Sequence, residues 1–239
     1  MPGRFLELGL GAADVAASLA FYESLGFVQA PVGEAWPHPY AVVTDGRLHL
    51  GLHGIDVEAP LLTFVTPDLR ARLDGLAHAG LEVEQARLDD VTLNEARFRD
   101  PAGLHVRLLE ARTYSPPALD PGFESALGWF ESLAVETADP ARAGRFWESL
   151  GGVAFEEPDG AGSARVTVAH RDLNLDFQDR ELHGPMPCFA ATGLEARVAS
   201  LRARGFRFAA RAPRGFDGRG AAVLLAPDGL RLLLLEAAG

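Results

Sequence analysis

Apolar and polar residues alternate through "FLELGLG" at residues 5 to 11, the period of a half-buried strand. Asp14 then stands as a helix N-cap, and Val15, Leu19, Tyr22 and Leu25 recur at helical spacing until Gly26 supplies a C-cap. A short strand from Phe27 comes next. "YAVVT" and "RLHLGLH", joined across Asp45 and Gly46, then read as a hairpin. The unit is βαβββ. A second unit follows: a strand at 61 to 66, a helix from about Asp68 to His78, a strand from Leu81, and strands around 94 to 99 and 104 to 110. The last two are joined by "DPAG", a tight turn with proline second and glycine fourth.

The pattern then begins again. "FYESLGF" at 21 to 27 returns as "FWESLGG" at 146 to 152, and Asp14 and Asp139, Phe21 and Phe146, and Gly26 and Gly151 all stand 125 residues apart. Near the end of each half, "RDPAGLHVRLLEA" from 99 returns as "LAPDGLRLLLLEA" from 225, an offset of 126. In the third unit Asp139 caps a helix that Pro140 opens. A weaker repeat lies inside each half, where Gly80 and Gly205 each end a helical stretch 54 residues after Gly26 and Gly151. Four modules result, at about 4–55, 60–111, 128–180 and 186–237. They group into two domains, 1–113 and 127–239, with a linker at 114–126 in which "YSPPALDPG" combines three prolines and a glycine.

Composition removes several functions. The chain has 239 residues, nearly half of them hydrophobic and about a quarter charged, as in soluble globular proteins. Its net charge of -11 leaves no basic footprint for nucleic acid. All 22 basic residues are arginine, so Schiff-base chemistry, a pyridoxal phosphate anchor and a P-loop lysine are excluded. The lone cysteine, Cys188, has no partner for a disulfide or a cysteine zinc site and reads as a small buried hydrophobe. Apolar runs such as "LRLLLLEAAG" are too short to cross a bilayer, and Glu7 and Asp14 interrupt any secretory signal, so no membrane association and a cytoplasmic location are expected.

The aspartate, the Phe-aromatic pair and the Leu-Gly of the first helix, with "DPAG" or "APDG" before the final strand, resemble the vicinal oxygen chelate superfamily across nearly the whole chain. That group includes glyoxalase I, extradiol dioxygenases, fosfomycin-modifying enzymes and bleomycin-binding proteins. The resemblance implies an α+β fold of two glyoxalase-like domains. Each is a curled mixed-sheet cup built from two modules, with helices on the convex side and the ligand inside.

The resemblance also implies four metal positions per cup. In the N-terminal half they fall on Glu7, on His49 with His53 on the same face, on Leu61 or Leu62, and on Arg107. Glu7 and His49 can ligate; a leucine cannot, and a guanidinium is a permanent cation. The C-terminal half offers Ser132, Asn174, Met186 or Pro187, and Leu233, a set with little affinity for metal, which departs from extradiol dioxygenases that hold iron there.

Two classes of function stay open. One is a metal-independent small-molecule binding protein, in which Glu7, His49, His105 and Arg107 form a polar cluster, Trp36, His38 and Tyr40 wall the mouth, and Ser132 and Asn174 line the second cup. The other is a glyoxalase-like or dioxygenase-like enzyme, a lyase, isomerase or oxygenase. It would use Glu7, His49 and Arg107 for acid-base chemistry, or Glu7 and His49 for a divalent ion such as Fe, Mn, Ni or Zn. In the blander reading Glu7 and Arg107 are a structural ion pair, His53 and His78 lie at the surface, and Phe21, Tyr22, Phe146 and Trp147 pack helix onto sheet. A monomer or homodimer fits the internal duplication.

Overall fold

A computed structural model describes residues 3–32, 36–78, 81–89, 93–111, 123–158, 164–213, 216 and 220–237. The first half runs β1 (Arg4–Gly11), α1 (Val15–Ser24), β2 (Val28–Ala30), β3 (Tyr40–Thr44), β4 (His49–His53), β5 (Leu61–Thr66), α2 (Leu69–His78), β6 (Gln85–Arg87), β7 (Glu95–Arg99) and β8 (His105–Glu110). Its strands form one mixed sheet in the order β2-β3-β4-β1-β5-β8-β7-β6. The antiparallel pairing of β1 with β5 joins consecutive modules of this one chain, and each module closes on itself through a parallel pair, β1 with β4 and β5 with β8.

The second half runs β9 (Trp129–Glu136), α3 (Pro140–Ser149), β10 (Val153–Pro158), β11 (Ala164–Ala169), β12 (Asn174–Gln178), β13 (Met186–Ala191), α4 (Leu194–Ala203), β14 (Ala221–Leu225) and β15 (Arg231–Glu236). They form a second sheet in the order β10-β11-β12-β9-β13-β15-β14.

Local chemistry sets these elements. The Asp14 and Asp139 carboxylates accept the backbone N–H groups of Ala17 and Arg142, capping α1 and α3. Asp100 holds the "DPAG" turn by accepting from the N–H groups of Ala102 and Leu104. Two expectations fail. The strand expected from Leu81 starts only at Gln85, where pairing with β7 begins. In the fourth module the first of three expected strands shrinks to a single bridge between Phe208 and Leu224. Gly80 and most of the expected linker lie outside the described residues.

One face of each sheet carries the core. Leu8, Leu50, Leu62, Phe64 and Leu108 from the first sheet and Leu133, Phe177, Phe189 and Leu234 from the second belong to one continuous buried cluster, shared between the halves. From the repeated helix phrase, Tyr22, Leu25, Trp147 and Leu150 belong to it. Tyr22 of α1 donates its hydroxyl to Asp228 Oδ2 at 2.9 Å, and Trp147 of α3 donates its indole N–H to Asp100 Oδ2 at 2.8 Å. The matching aromatics of the two copies are thus core residues that also reach the closing turn of the opposite half.

Candidate functional site

The other face of the first sheet is polar. Because side chains alternate along strands, Glu7, Tyr40, Gly51, His53, Thr63 and Arg107 share this face. Register sets Glu7 beside Thr63 and Thr63 beside Arg107, so the three stand in one row across β1, β5 and β8. The pairing of β1 shifts between Phe5 and Glu7, an irregularity of the kind that re-aims a side chain.

Glu7 is the hub. Its carboxylate accepts the Tyr40 hydroxyl at Oε2; at Oε1 it takes Arg107 Nη2 at 3.2 Å and meets His53 Nε2 at 3.1 Å. Arg107 also donates to the Thr63 hydroxyl from Nε at 3.2 Å and from Nη2 at 3.0 Å. His53 Nδ1 lies 3.0 Å from His38 Nε2. For neutral rings, His53 donating to the carboxylate requires His38 to donate to His53, which gives a continuous chain from a buried acid to a part-exposed imidazole.

Trp36 lies against this cluster. The Arg107 guanidinium is 4.6 Å from its ring centre, and the His53, His38 and Tyr40 rings pack around it at 5.6, 5.7 and 6.2 Å. Gly51 makes room: a methyl group there would collide with the Glu7 carboxylate.

Burial sets the electrostatics. Glu7 and His53 are fully buried and Arg107 nearly so. Desolvation lowers the Arg107 pKa from its ordinary value, against the pull of Glu7. It raises the Tyr40 phenol far above its usual range, and the Glu7 charge and hydrogen bond add to the rise. His38 is lowered by burial, then by the charges of His53 and Arg107.

Of the residues singled out from sequence, Glu7, Arg107, Tyr40 and Trp36 come together, and His38 joins them. His53, expected at the surface, is instead fully buried and bonded to Glu7, because Tyr40 pairs with it across the hairpin. His49 begins β4 on the same face as Gly51 and His53, where the Glu7 charge acts on it, but it makes no bond to Glu7 and also lines a cavity with Phe5, Phe130 and His170. His105 sits nearer the rim, with Nδ1 3.1 Å from Glu58 Oε2. The third position of the row is Thr63 rather than Leu61 or Leu62. The leucine at 62 faces the core, and Leu61 lies two residues from the Glu7 level. The His78 side chain lies outside the described residues.

Solved structures reproduce this architecture. The chain matches catechol 2,3-dioxygenase with a TM-score of 0.64 and 16% identity, over 98% of this chain and 88% of that one. A variant of homoprotocatechuate 2,3-dioxygenase from Brevibacterium fuscum gives 0.65 and 17%, over 98% and 71%. A mutant of 4-hydroxymandelate synthase from Streptomyces coelicolor gives 0.58 and 17%, over 100% and 94%. The chain has the vicinal oxygen chelate fold. No protein-family profile and no curated sequence matches it. At such identities the likeness speaks for the fold, and function has to be argued from the site.

In this chain the positions that would face a metal fit an ion poorly. The row across the N-terminal sheet supplies one carboxylate, one hydroxyl and a guanidinium, and Glu7 itself fills the space above Gly51. Both ring nitrogens of His53 are already engaged. Among the described residues no three His, Cys, Asp or Glu side chains are arranged to hold a metal ion.

The C-terminal half fits no better. Its row is Ser132, Cys188 and Leu233, set side by side by register, and the same face carries a buried apolar cluster of Ala134, Met186, Cys188, Leu233 and Leu235 covered by Leu182 and Phe216. Burial pushes the Cys188 thiol up to about 12, so no thiolate forms near neutral pH. Ser132 is buried in this face, whereas Asn174 is exposed and donates to the Glu131 carbonyl at 3.0 Å, so the two do not line one site. Asp176, two residues on, is held by Arg165 at 2.7 Å and by Gln178 at 2.9 Å.

Proposed function

We propose that this chain is a metal-independent small-molecule binding protein whose N-terminal cup is the working site. The observation that carries the reading is the pairing of Arg107 with Glu7 in the row that would otherwise face a metal. The guanidinium supplies a fixed positive charge where an ion would sit, and as a five-donor planar fork it suits an oxyanion or carbonyl oxygen. Trp36 and the rings around it offer a face for the flat part of an organic ligand. The packed apolar C-terminal cup acts as support.

A second reading is favoured by the hydrogen-bonded run from Glu7 through His53 to His38. A base that can pass a proton outward along two imidazoles suits metal-free acid-base catalysis, with Arg107 stabilising the oxyanion that forms. Benzoate, a flat aromatic anion, tests both the cup and its chemistry when titrated into the full chain with tryptophan fluorescence as readout. Saturable quenching that disappears in the Glu7→Gln, Arg107→Met double variant supports the site. An unchanged response in that variant removes the cup from the account. For any ligand found this way, stoichiometric recovery unchanged favours binding, and conversion favours the enzyme.

A further inference from the structure

The row that holds Glu7, Thr63 and Arg107 does not end at β8. Register sets Arg97 of β7 beside Arg107, and alternation puts its side chain on the same polar face, since Ala96 and Phe98 to either side of it belong to the buried core. Two guanidiniums thus stand on neighbouring strands. Burial is the first reason that the Arg107 pKa is lowered, and the Arg97 charge adds to the lowering against the pull of Glu7, so the two side chains feel each other.

Their surroundings differ. Arg107 is 2% exposed and bonded to Glu7 and Thr63. The Arg97 side chain is 37% exposed, and its ion pair with Glu95 spans 3.7 Å, too long for a hydrogen bond. Glu95 is also shared, because Arg87 approaches it at 3.6 Å. Two carboxylates, Glu7 and Glu95, therefore serve three guanidiniums, those of Arg87, Arg97 and Arg107. Toward the rim the balance is different: Arg99 is taken up by Glu84 at 3.2 Å and by Glu58 at 3.3 Å, and Glu58 also meets His105.

An exposed arginine alone would call for nothing beyond water. Here the neighbouring position decides. Like charges directly opposite one another on adjacent strands destabilise a sheet, and an anion seated against Arg97 would offset that repulsion. The excess among these three guanidiniums is one charge, which fits a carboxylate, and the planar fork of arginine matches a carboxylate with two parallel hydrogen bonds. Trp36, whose ring centre lies 4.6 Å from the Arg107 guanidinium, adds a flat apolar surface beside that position.

We propose that the ligand of the N-terminal cup is a small aromatic carboxylate whose anion is received by Arg97, with Arg107 as a second positive charge beside it and the ring against Trp36. The inference rests on the N-terminal cup being the binding site, and it adds the charge of the ligand and the residue that reads it.

The test compares benzoate with benzamide, its neutral counterpart of the same shape, each titrated into the full chain at neutral pH and constant ionic strength with tryptophan fluorescence as readout. Benzoate should bind roughly tenfold more tightly than benzamide. Arg97→Gln should bring benzoate down to the level of benzamide and leave benzamide unchanged, in a chain whose folding is checked by circular dichroism. Arg99→Gln removes the same charge from the same strand and should keep the preference. Equal affinity for the two probes in the unaltered chain, or a preference that survives Arg97→Gln, would overturn the role of Arg97 while leaving the cup as a binding site. An equal loss in Arg97→Gln and Arg99→Gln would overturn it too, by assigning the selection to the general field of the sheet. Saturation by neither probe would overturn the reading of the cup, and this inference with it.

Discussion

Arg107 decides what the N-terminal row can do, and its partner Glu7 decides whether Arg107 can stay buried. Neither charge has water to fall back on, so each is the other's main compensation. Arg107→Met strands the Glu7 carboxylate and should cost about 3–5 kcal/mol of stability by urea denaturation; Glu7→Gln added to Arg107→Met should restore most of that loss. Gly51 is the third member of the arrangement. Gly51→Ala should cost about 1–3 kcal/mol through overpacking against Glu7, and the penalty should shrink in a Glu7→Ala background. An equal cost in both backgrounds would mean that something other than the carboxylate occupies the space over Gly51. Glu7 and Arg107 were legible in the sequence because both are counted from turn and cap residues in the same chain segment. His53 was not. A histidine at the end of a short strand looks like a surface residue until the hairpin register sets it against Tyr40 and Glu7. Thr63 was not legible either, because only the register of β1 against β5 sets it beside Glu7.

At the scale of elements, helices were easier to read than strands. Asp14, Asp139 and Pro140 mark their helix starts through backbone chemistry that needs no distant partner, and strand 61 to 66 coincides with β5. The short edge strands were not readable, since pairing with a neighbour rather than propensity fixes where β6 begins and why, among the described residues, the fourth module keeps two strands after α4. The turn between β11 and β12 and the start of β4 carry a pH dependence of their own. His170 and His49 hold their protons less tightly when folded than at the ordinary 6.5. Between that value and their lowered folded values the unfolded chain binds more protons, so their contribution to stability is present above 6.5 and lost as pH falls through the window. Thermal melts across this range should show the loss, and His170→Gln should flatten it; a slope unchanged by that variant would assign the effect to other groups.

Over the whole molecule, duplication has been turned into a joint. The two copies of the helix phrase bury Tyr22 and Trp147 in one core and send their polar tips to Asp228 and Asp100 in the opposite half. Calorimetry should therefore record one unfolding transition for both halves, whereas two separated transitions would mean that the shared core does not couple them. The repeat itself was legible, and with it the fold; the cross-bonds were not, because nothing in one copy names its partner in the other. The central claim, that an ion pair stands in the N-terminal row in place of a metal, is tested most directly by metal content. Untagged protein would be exposed to ferrous, manganese, nickel and zinc ions, dialysed, and measured by mass spectrometry. The pairing of Glu7 with Arg107 predicts no stoichiometric retention of any of the four; about one tightly held ion per chain, lost on Glu7→Ala, would contradict it.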